Sequence, residues 1–295
     1  MKKKIRIITH SGNFHADELL AVAAIEIQLN GTLYEVIRTR DPEVWKTGDY
    51  VVDVGGVYDP TANRFDHHQK GGAGERNKVP YSSFGLVWKH YGEAICGSKE
   101  VADGVEARLV YPIDLADNGT EVYTTVFDGV HPYLLHSVVA AMRPTWKEGE
   151  IHDVRFVELI PLMRRIIERE VIAERDRIEG ARLVREAYLA ATDKRIIVID
   201  GHYPWQDELA RHPEPLYLLK PRHEGNSWQV ECVRDDVHSF KNRKPLPEAW
   251  RGLSGEALGK VTGVPDAVFC HNMRFIAVAK SKESALRLAQ MALVA

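Results

Sequence analysis

Cysteine is scarce in this sequence: Cys96, Cys232 and Cys270 are the three in 295 residues, far apart and odd in number. Their spacing excludes a disulfide framework and a cysteine-built zinc site, and it fits a reduced, cytosolic setting. No apolar stretch approaches the roughly 20 residues of a membrane-spanning helix, so no membrane partner is expected. Lys2-Lys3-Lys4 runs directly into Ile5-Arg6-Ile7-Ile8-Thr9, an apolar run too short for a signal peptide and better read as a first strand. Charge of one sign is lacking too. With 39 basic and 42 acidic residues the net charge is −3, so no global basic field draws in nucleic acid, and a polyanion has to be met by a local patch or by metal ions. Repeats and low-complexity tracts are missing. The glycine run Gly71-Gly72-Ala73-Gly74 lacks the Lys-Ser spacing of a phosphate-cradling loop and reads as a flexible covering.

What is present suits a soluble globular protein, with 44% hydrophobic and 27% charged residues over a length near twice that of a common domain. Strand-like segments at 5 to 9, 34 to 39, 50 to 56 and 64 to 66 alternate with helical patterns at 17 to 28, 82 to 91, 98 to 113 and 133 to 142. Residues 153 to 191 read as a connecting helix pair, with Pro161 at a helix start. A second unit then follows, with strands near 195, 216, 229, 268 and 275 and helices near 205, 254 and 282. The expected fold is α/β: a first domain over 1–192, with a mostly parallel sheet, helices on both faces and the long connecting helices, then a smaller α/β (α+β) domain over 193–295.

Chemistry-bearing residues gather at the predicted strand ends, where α/β folds place their ligands. His10, His15 and Asp17 follow the first strand. Asp53 stands between Val51-Val52 and Gly55-Gly56, where a buried carboxylate is costly unless it is paired or metal-bound. Asp66-His67-His68 closes the next short strand, and Asp114 and Asp117 lie three apart on a closing helical turn, so that both face the same way. Taken singly, a helix cap or a solvated turn explains each cluster about as well. Together they offer only nitrogen and oxygen donors, a mixture that suits Mn²⁺ or Mg²⁺, with Co²⁺ or Zn²⁺ as alternatives. They are too many for one ion. Two metals roughly 3.5–4 Å apart, bridged by a carboxylate and a water, would use them in phosphoryl displacement.

His10 to Asp17, Asp53 in Val-Val-Asp-Val-Gly-Gly, Asp66-His67-His68 and the 114–119 segment resemble the four motifs of the DHH phosphoesterase superfamily. More closely, Thr9 to Glu18, Asp66 to Gln69, Asp117-Asn118-Gly119, Arg143-Pro144-Thr145-Trp146, His238-Ser239-Phe240 and 247 to 252 resemble the melanocyte-proliferating-gene family, whose eukaryotic members are regarded as 3′-to-5′ RNA exonucleases. The resemblance spans nearly the whole chain, with six segments in order. It implies that His10, His15 and Asp53 hold one metal and that Asp17, Asp53, His67 and Asp117 or Asp114 hold the other, with Asp53 bridging. His68 would contact the scissile phosphate and Asp66 would orient the histidine pair. The superfamily commonly has Asp where His15 stands, which shifts the first site toward Mn²⁺.

In superfamily nucleases a smaller C-terminal domain binds substrate. His238, Arg243, Arg251 and His271 are the corresponding candidates for phosphate or terminal-nucleotide contacts, and Phe240 and Trp250 for base stacking or for packing. The expected activity is hydrolysis of single-stranded RNA or short oligonucleotides from the 3′ end, by a cytoplasmic enzyme compatible with a homodimer. Two other readings compete: a phosphohydrolase of pyrophosphate, very short RNA or cyclic dinucleotides, and a catalytically silent sensor of metal or nucleotide.

Overall fold

The computed structural model describes residues 4–223, 226–236 and 239–295. They form two compact units, Met1–Arg175 and Asp176–Ala295. In chain order the first unit comprises β1 (Ile5–Thr9), α1 (Ala16–Leu29), β2 (Tyr34–Arg38), α2 (Pro42–Trp45), β3 (Tyr50–Val52), β4 (Tyr58–Asp59), β5 (Arg64–Phe65), the hairpin β6 (Glu75–Arg76) and β7 (Val79–Pro80), α3 (Ser83–Cys96), α4 (Lys99–Val105), α5 (Tyr111–Asp117) and α6 (Leu135–Ala141). The division falls inside α7 (His152–Ala190). The second unit continues with β8 (Ile196–Val198), α8 (Gln206–Ala210), β9 (Tyr217–Pro221), β10 (Trp228–Cys232), α9 (Gly255–Thr262), β11 (Ala267–Cys270), β12 (Ile276–Ala279) and α10 (Lys282–Val294).

The fold is α/β, as expected. In the first unit the sheet runs β2-β1-β3-β5-β4, with β1, β2, β3 and β5 parallel and β4 antiparallel at the edge. Because side chains alternate along a strand, Ile8 and Val51 pack with Trp45 of α2 on one face, while Ile7 and Val52 are buried on the other. Helix α1 is buried continuously from Ala16 to Ile25, as its apolar makeup on all sides requires. It packs against α3. β1, β3 and β5 are neighbours and parallel, so the chain leaves all three at one sheet edge, carrying His10, Asp53 and Asp66-His67-His68 there.

Three local features depart from the expected elements. In place of the expected helix pair over 153 to 191 there is one 39-residue helix, His152–Ala190, with Pro161 inside it. Proline removes one backbone bond and costs about 3 kcal/mol in a helix interior, but the neighbouring Phe156, Leu159, Ile160, Met163 and Ile167 are all buried and carry the helix through. The helical run from 99 continues to Asp117 through a π-helical stretch, Glu106–Val110, that lies just before Pro112. After the glycine run, Asn77 and Lys78 take left-handed backbone angles (φ 50° and 66°) and close the β6–β7 hairpin, as a tight hairpin turn demands.

In the second unit the sheet runs β11-β12-β10-β9-β8, antiparallel apart from β8 with β9. Tyr217, Leu219 and Val230 join a core with Leu258 of α9 and Leu288 of α10, whereas Leu218 and Ile197 join another with Val184 of α7 and Leu209 of α8. No helix among the described residues is long and apolar enough to cross a membrane.

Candidate metal centre

Asp53 is the hub. It takes a left-handed backbone angle (φ 56°) immediately after β3, a conformation that Asp and Asn tolerate better than most residues. That turn throws a carboxylate, 4% exposed, across the sheet edge between β1 and β5. Its Oδ2 lies 3.3 Å from His10 Nε2. Its Oδ1 lies 3.4 Å from His67 Nε2 and 3.5 Å from His68 Nδ1, and accepts a hydrogen bond from Ser83 Oγ at 2.9 Å. Burial works against this carboxylate's charge, but the imidazoles of His10 and His67 outweigh it and hold its pKa well below the usual range.

The surrounding groups complete three overlapping sets. Donor atoms of His10, His15, Glu18 and Asp53 lie within 4.8 Å of one another, as do those of Asp53, His67 and His68, and those of His15, Asp17 and Asp117. Asp117 Oδ2 stands 3.2 Å from His67 Nε2. Burial opposes the imidazolium forms of His10 and His67, yet the facing carboxylates push both pKa values up to about 10: Asp53 and Glu18 act on His10, Asp117 and Asp53 on His67. Asp17 is raised well above the carboxylate range, first by burial and then by the nearby Asp53, Asp117 and Glu18.

These residues fit a metal ion. Both Asp17 oxygens are buried without a hydrogen-bond partner, and His67 Nε2 meets two carboxylates in no hydrogen-bonding geometry. Such orphaned polar atoms are costly, and a cation among them satisfies all at once. His10 Nδ1 lies 3.1 Å from the Ser11 carbonyl, which leaves the Nε2 lone pair facing the cluster when Nδ1 carries the proton. Three imidazoles and three aspartates, with no thiolate, are the donor set of a hard-to-borderline ion.

Asp66 and His68 are placed differently. The Asp66 carboxylate accepts from Gly56 N at 2.5 Å, from His68 N at 3.1 Å and pairs with His68 Nδ1 at 2.8 Å. It is therefore committed to the backbone and to the second histidine. His68 has its side chain 62% exposed, so its Nε2 is the ring atom left facing outward. Its pKa is raised chiefly by the Asp66 hydrogen bond.

Other candidates go elsewhere. Asp114 does not share a face with Asp117. It is fully buried beneath α3, accepting from Ser82 N (3.0 Å), Ser82 Oγ (2.5 Å) and Arg76 Nη1 (2.7 Å). The 60° or so between i and i+3 on a helix is enough to put one carboxylate in the protein and the other in the cleft. Arg243 is not a free phosphate donor, because its guanidinium donates to the carbonyls of Ala210, His212 and Pro215. Arg251 is exposed and paired with Glu248 at 3.0 Å. His271 Nδ1 accepts from Met273 N at 3.0 Å. His238 lies outside the described residues. Trp250 belongs to the core of the second unit, while Phe240 is exposed beneath the Arg234 guanidinium.

Sequence reasoning missed Glu18 and Ser83. Glu18 accepts from His15 N with both oxygens at 2.8 Å, closing a capping box at the start of α1, and also faces His10 Nε2 at 3.2 Å. Its position three residues after a helix cap was the available signal. Ser83 carries none, since its role depends on how α3 is docked. The whole cluster opens into a cavity of about 1560 Å³, walled also by the 116–123 segment, Arg40, His136 and Arg143.

A family described as an uncharacterised protein family (UPF0160), under the short name MYG1_exonuc, matches residues 6–293. Similar proteins include the MYG1 exonuclease of Homo sapiens, 31% identical over 98% of this chain and 85% of its own length. MYG1 protein C694.04c of Schizosaccharomyces pombe is 30% identical over 99% and 98%. MYG1 protein YER156C of Saccharomyces cerevisiae is 32% identical over 99% and 96%.

Proposed function

Since the chain belongs to the MYG1_exonuc family (UPF0160), we propose that it is a metal-dependent phosphodiesterase that removes nucleotides from single-stranded RNA in the 3′-to-5′ direction. The observation that carries this reading is Asp53, whose two oxygens face imidazoles from two different strand ends, beside an Asp17 carboxylate that is buried and unpartnered. In this reading His10, His15 and Asp53 hold one Mn²⁺, and Asp17, Asp53, His67 and Asp117 hold a second. When bound, the ions supply Lewis acidity at the phosphoryl oxygens and lower the pKa of water.

The chain's own residues do the rest. Asp66 fixes the ring of His68 through Nδ1, so that Nε2 can donate to a phosphate oxygen lodged in the cavity. Ser83 restrains the Asp53 carboxylate, and Glu18 ties the His10 ring to the start of α1. The cavity exceeds the ~300–1,000 Å³ usual for small-ligand sites, which supports an oligonucleotide over pyrophosphate as substrate. We assign catalysis to the first domain and substrate contacts to the second, where Arg251 and His271 remain the candidates.

The test is a panel of 5′-end-labelled single-stranded RNA, single-stranded DNA, dinucleotides and pyrophosphate, each with Mn²⁺, Mg²⁺ or Zn²⁺. The expected result is a ladder shortening from the 3′ end of RNA, fastest with Mn²⁺. Hydrolysis of pyrophosphate alone would replace this reading with the small-molecule one. Binding of metal and RNA without cleavage would replace it with the sensor.

A further inference from the structure

The metal cluster gathers Asp17, Asp53, Asp66 and Asp117 on the cavity wall, an arrangement that repels a phosphodiester unless cations face it. Among the residues lining that cavity, Arg40 and Arg143 are the only arginines or lysines. Neither makes an ion pair with a carboxylate among the described residues. Arg38, from the same stretch of chain as Arg40, shows the alternative: it is buried, with Nη1 on Asp153 at 2.8 Å and Nη2 on the Gly12 carbonyl at 2.7 Å.

Arg143 is anchored but not consumed. Its Nε donates to the Phe14 carbonyl at 2.5 Å, which fixes the plane of the guanidinium and leaves Nη1 and Nη2 without a hydrogen-bond partner among the described residues. Phe14 lies in the 10–17 loop that carries His10, His15 and Asp17, so this bond ties the arginine to the loop of the metal cluster. Arg40 is exposed, and its one side-chain hydrogen-bond contact among the described residues is Nη2 at 3.3 Å from His10 Nδ1. When His10 Nδ1 donates to the Ser11 carbonyl it cannot also accept from Arg40. The Arg40 fork is then free for an anion.

We propose that Arg40 and Arg143 form a two-guanidinium clamp for a substrate phosphate, gripping non-bridging oxygens on the cavity wall beside the metal cluster. This assignment rests on the phosphodiesterase reading and deepens it. Two planar forks suit a tetrahedral oxyanion with several acceptors, where lysine would offer only a point charge. The clamp belongs to the first unit, so that unit recognises phosphate as well as holding the metal donors. It also offers guanidinium donors where Arg243 of the second unit has none to spare, being committed to carbonyls.

The test uses the full chain loaded with Mn²⁺ and carrying Arg40→Ala, Arg143→Ala or Arg143→Lys. Calorimetry measures the affinity for inorganic phosphate and, separately, for Mn²⁺. Each alanine variant is expected to weaken phosphate at least tenfold, about 1.4 kcal/mol, with Mn²⁺ affinity within twofold of wild type. Arg143→Lys is expected to fall between, because it keeps a donor for Phe14 but not the fork. Because Arg40 anchors no backbone, Arg40→Ala stays informative should Arg143→Ala unfold. Phosphate affinity unchanged in both alanine variants, or Mn²⁺ affinity falling in step with phosphate, overturns the clamp. A wild type that binds phosphate through these arginines yet cleaves no phosphodiester would sink the functional reading and leave the clamp standing.

Discussion

Asp53→Asn is the sharpest perturbation of the centre. Asparagine is the right replacement because it keeps the shape and tolerates the left-handed backbone angle at 53. Alanine would add roughly 1 kcal/mol or more of backbone cost and blur the result. Asp53 Oδ1 faces His67 and His68, and Oδ2 faces His10, so an amide must present an N–H₂ to one side and remove a charge from both. Loss of a shared ligand should slow turnover by three orders of magnitude or more, about 4 kcal/mol on the barrier. Folding should change little, because the lost attraction to His10 and His67 is partly offset by relief of the repulsion between Asp53 and Asp17. The assay combines steady-state cleavage of end-labelled RNA, Mn²⁺ calorimetry and thermal melting of the metal-free protein. The expected outcome is loss of turnover, fewer than two Mn²⁺ bound and a melting temperature within a few degrees of wild type. Wild-type turnover, or two Mn²⁺ bound with unchanged affinity, would refute Asp53 as a shared ligand.

Other predictions separate structural from chemical roles. Asp117→Asn should weaken Mn²⁺ binding at least tenfold, whereas Asp114→Asn should leave Mn²⁺ affinity alone and lower the urea midpoint, because Asp114 serves Ser82 and Arg76. Gly85→Ala would drive its Cβ into the Asp114 carboxylate, which is held on several sides, and should cost about 1–3 kcal/mol in chemical denaturation. In the second unit the buried Glu208 receives Arg185 through Nε at 2.7 Å and Nη2 at 3.0 Å, and this pairing, opposed by burial, holds its pKa below the usual value. A carboxylate lowered in the folded state adds stability above its unfolded pKa, near ~4.3, and loses it as pH falls through the folded value. Glu208→Gln should thus cost about 1 kcal/mol at neutral pH, the low end because Arg185 is half exposed, and urea melts of the two proteins should converge in acid.

The elements that could be read in advance are those whose burial writes a period into the chain. In α1 the apolar residues Leu19, Leu20, Ala23 and Ala24 recur at helical spacing and all are buried, and β1 and β3 alternate between two covered faces. By contrast β4, β6 and β7 are two residues each, too short for any period, and are defined by pairing with a partner strand. Pro161 misled because proline is a local signal, while the continuation of α7 is decided by Phe156, Met163 and Ile167 packing on either side of it.

The same division explains the site. His10, Asp53 and Asp66 to His68 could be placed near one another from sequence, since parallel neighbouring strands end at one edge whatever the details. Which of Asp114 and Asp117 faces that edge could not be, since it turns on about a sixth of a helical revolution and on where Ser82 and Arg76 sit. Arginines are the harder case. Arg38, Arg40, Arg143 and Arg243 are indistinguishable as letters, and what separates them is whether carbonyls and carboxylates elsewhere in the fold have already taken their donors. The candidates for gripping substrate are therefore the guanidinium groups that the fold has left unsatisfied beside a cluster of acids, and that property exists only once the chain is folded.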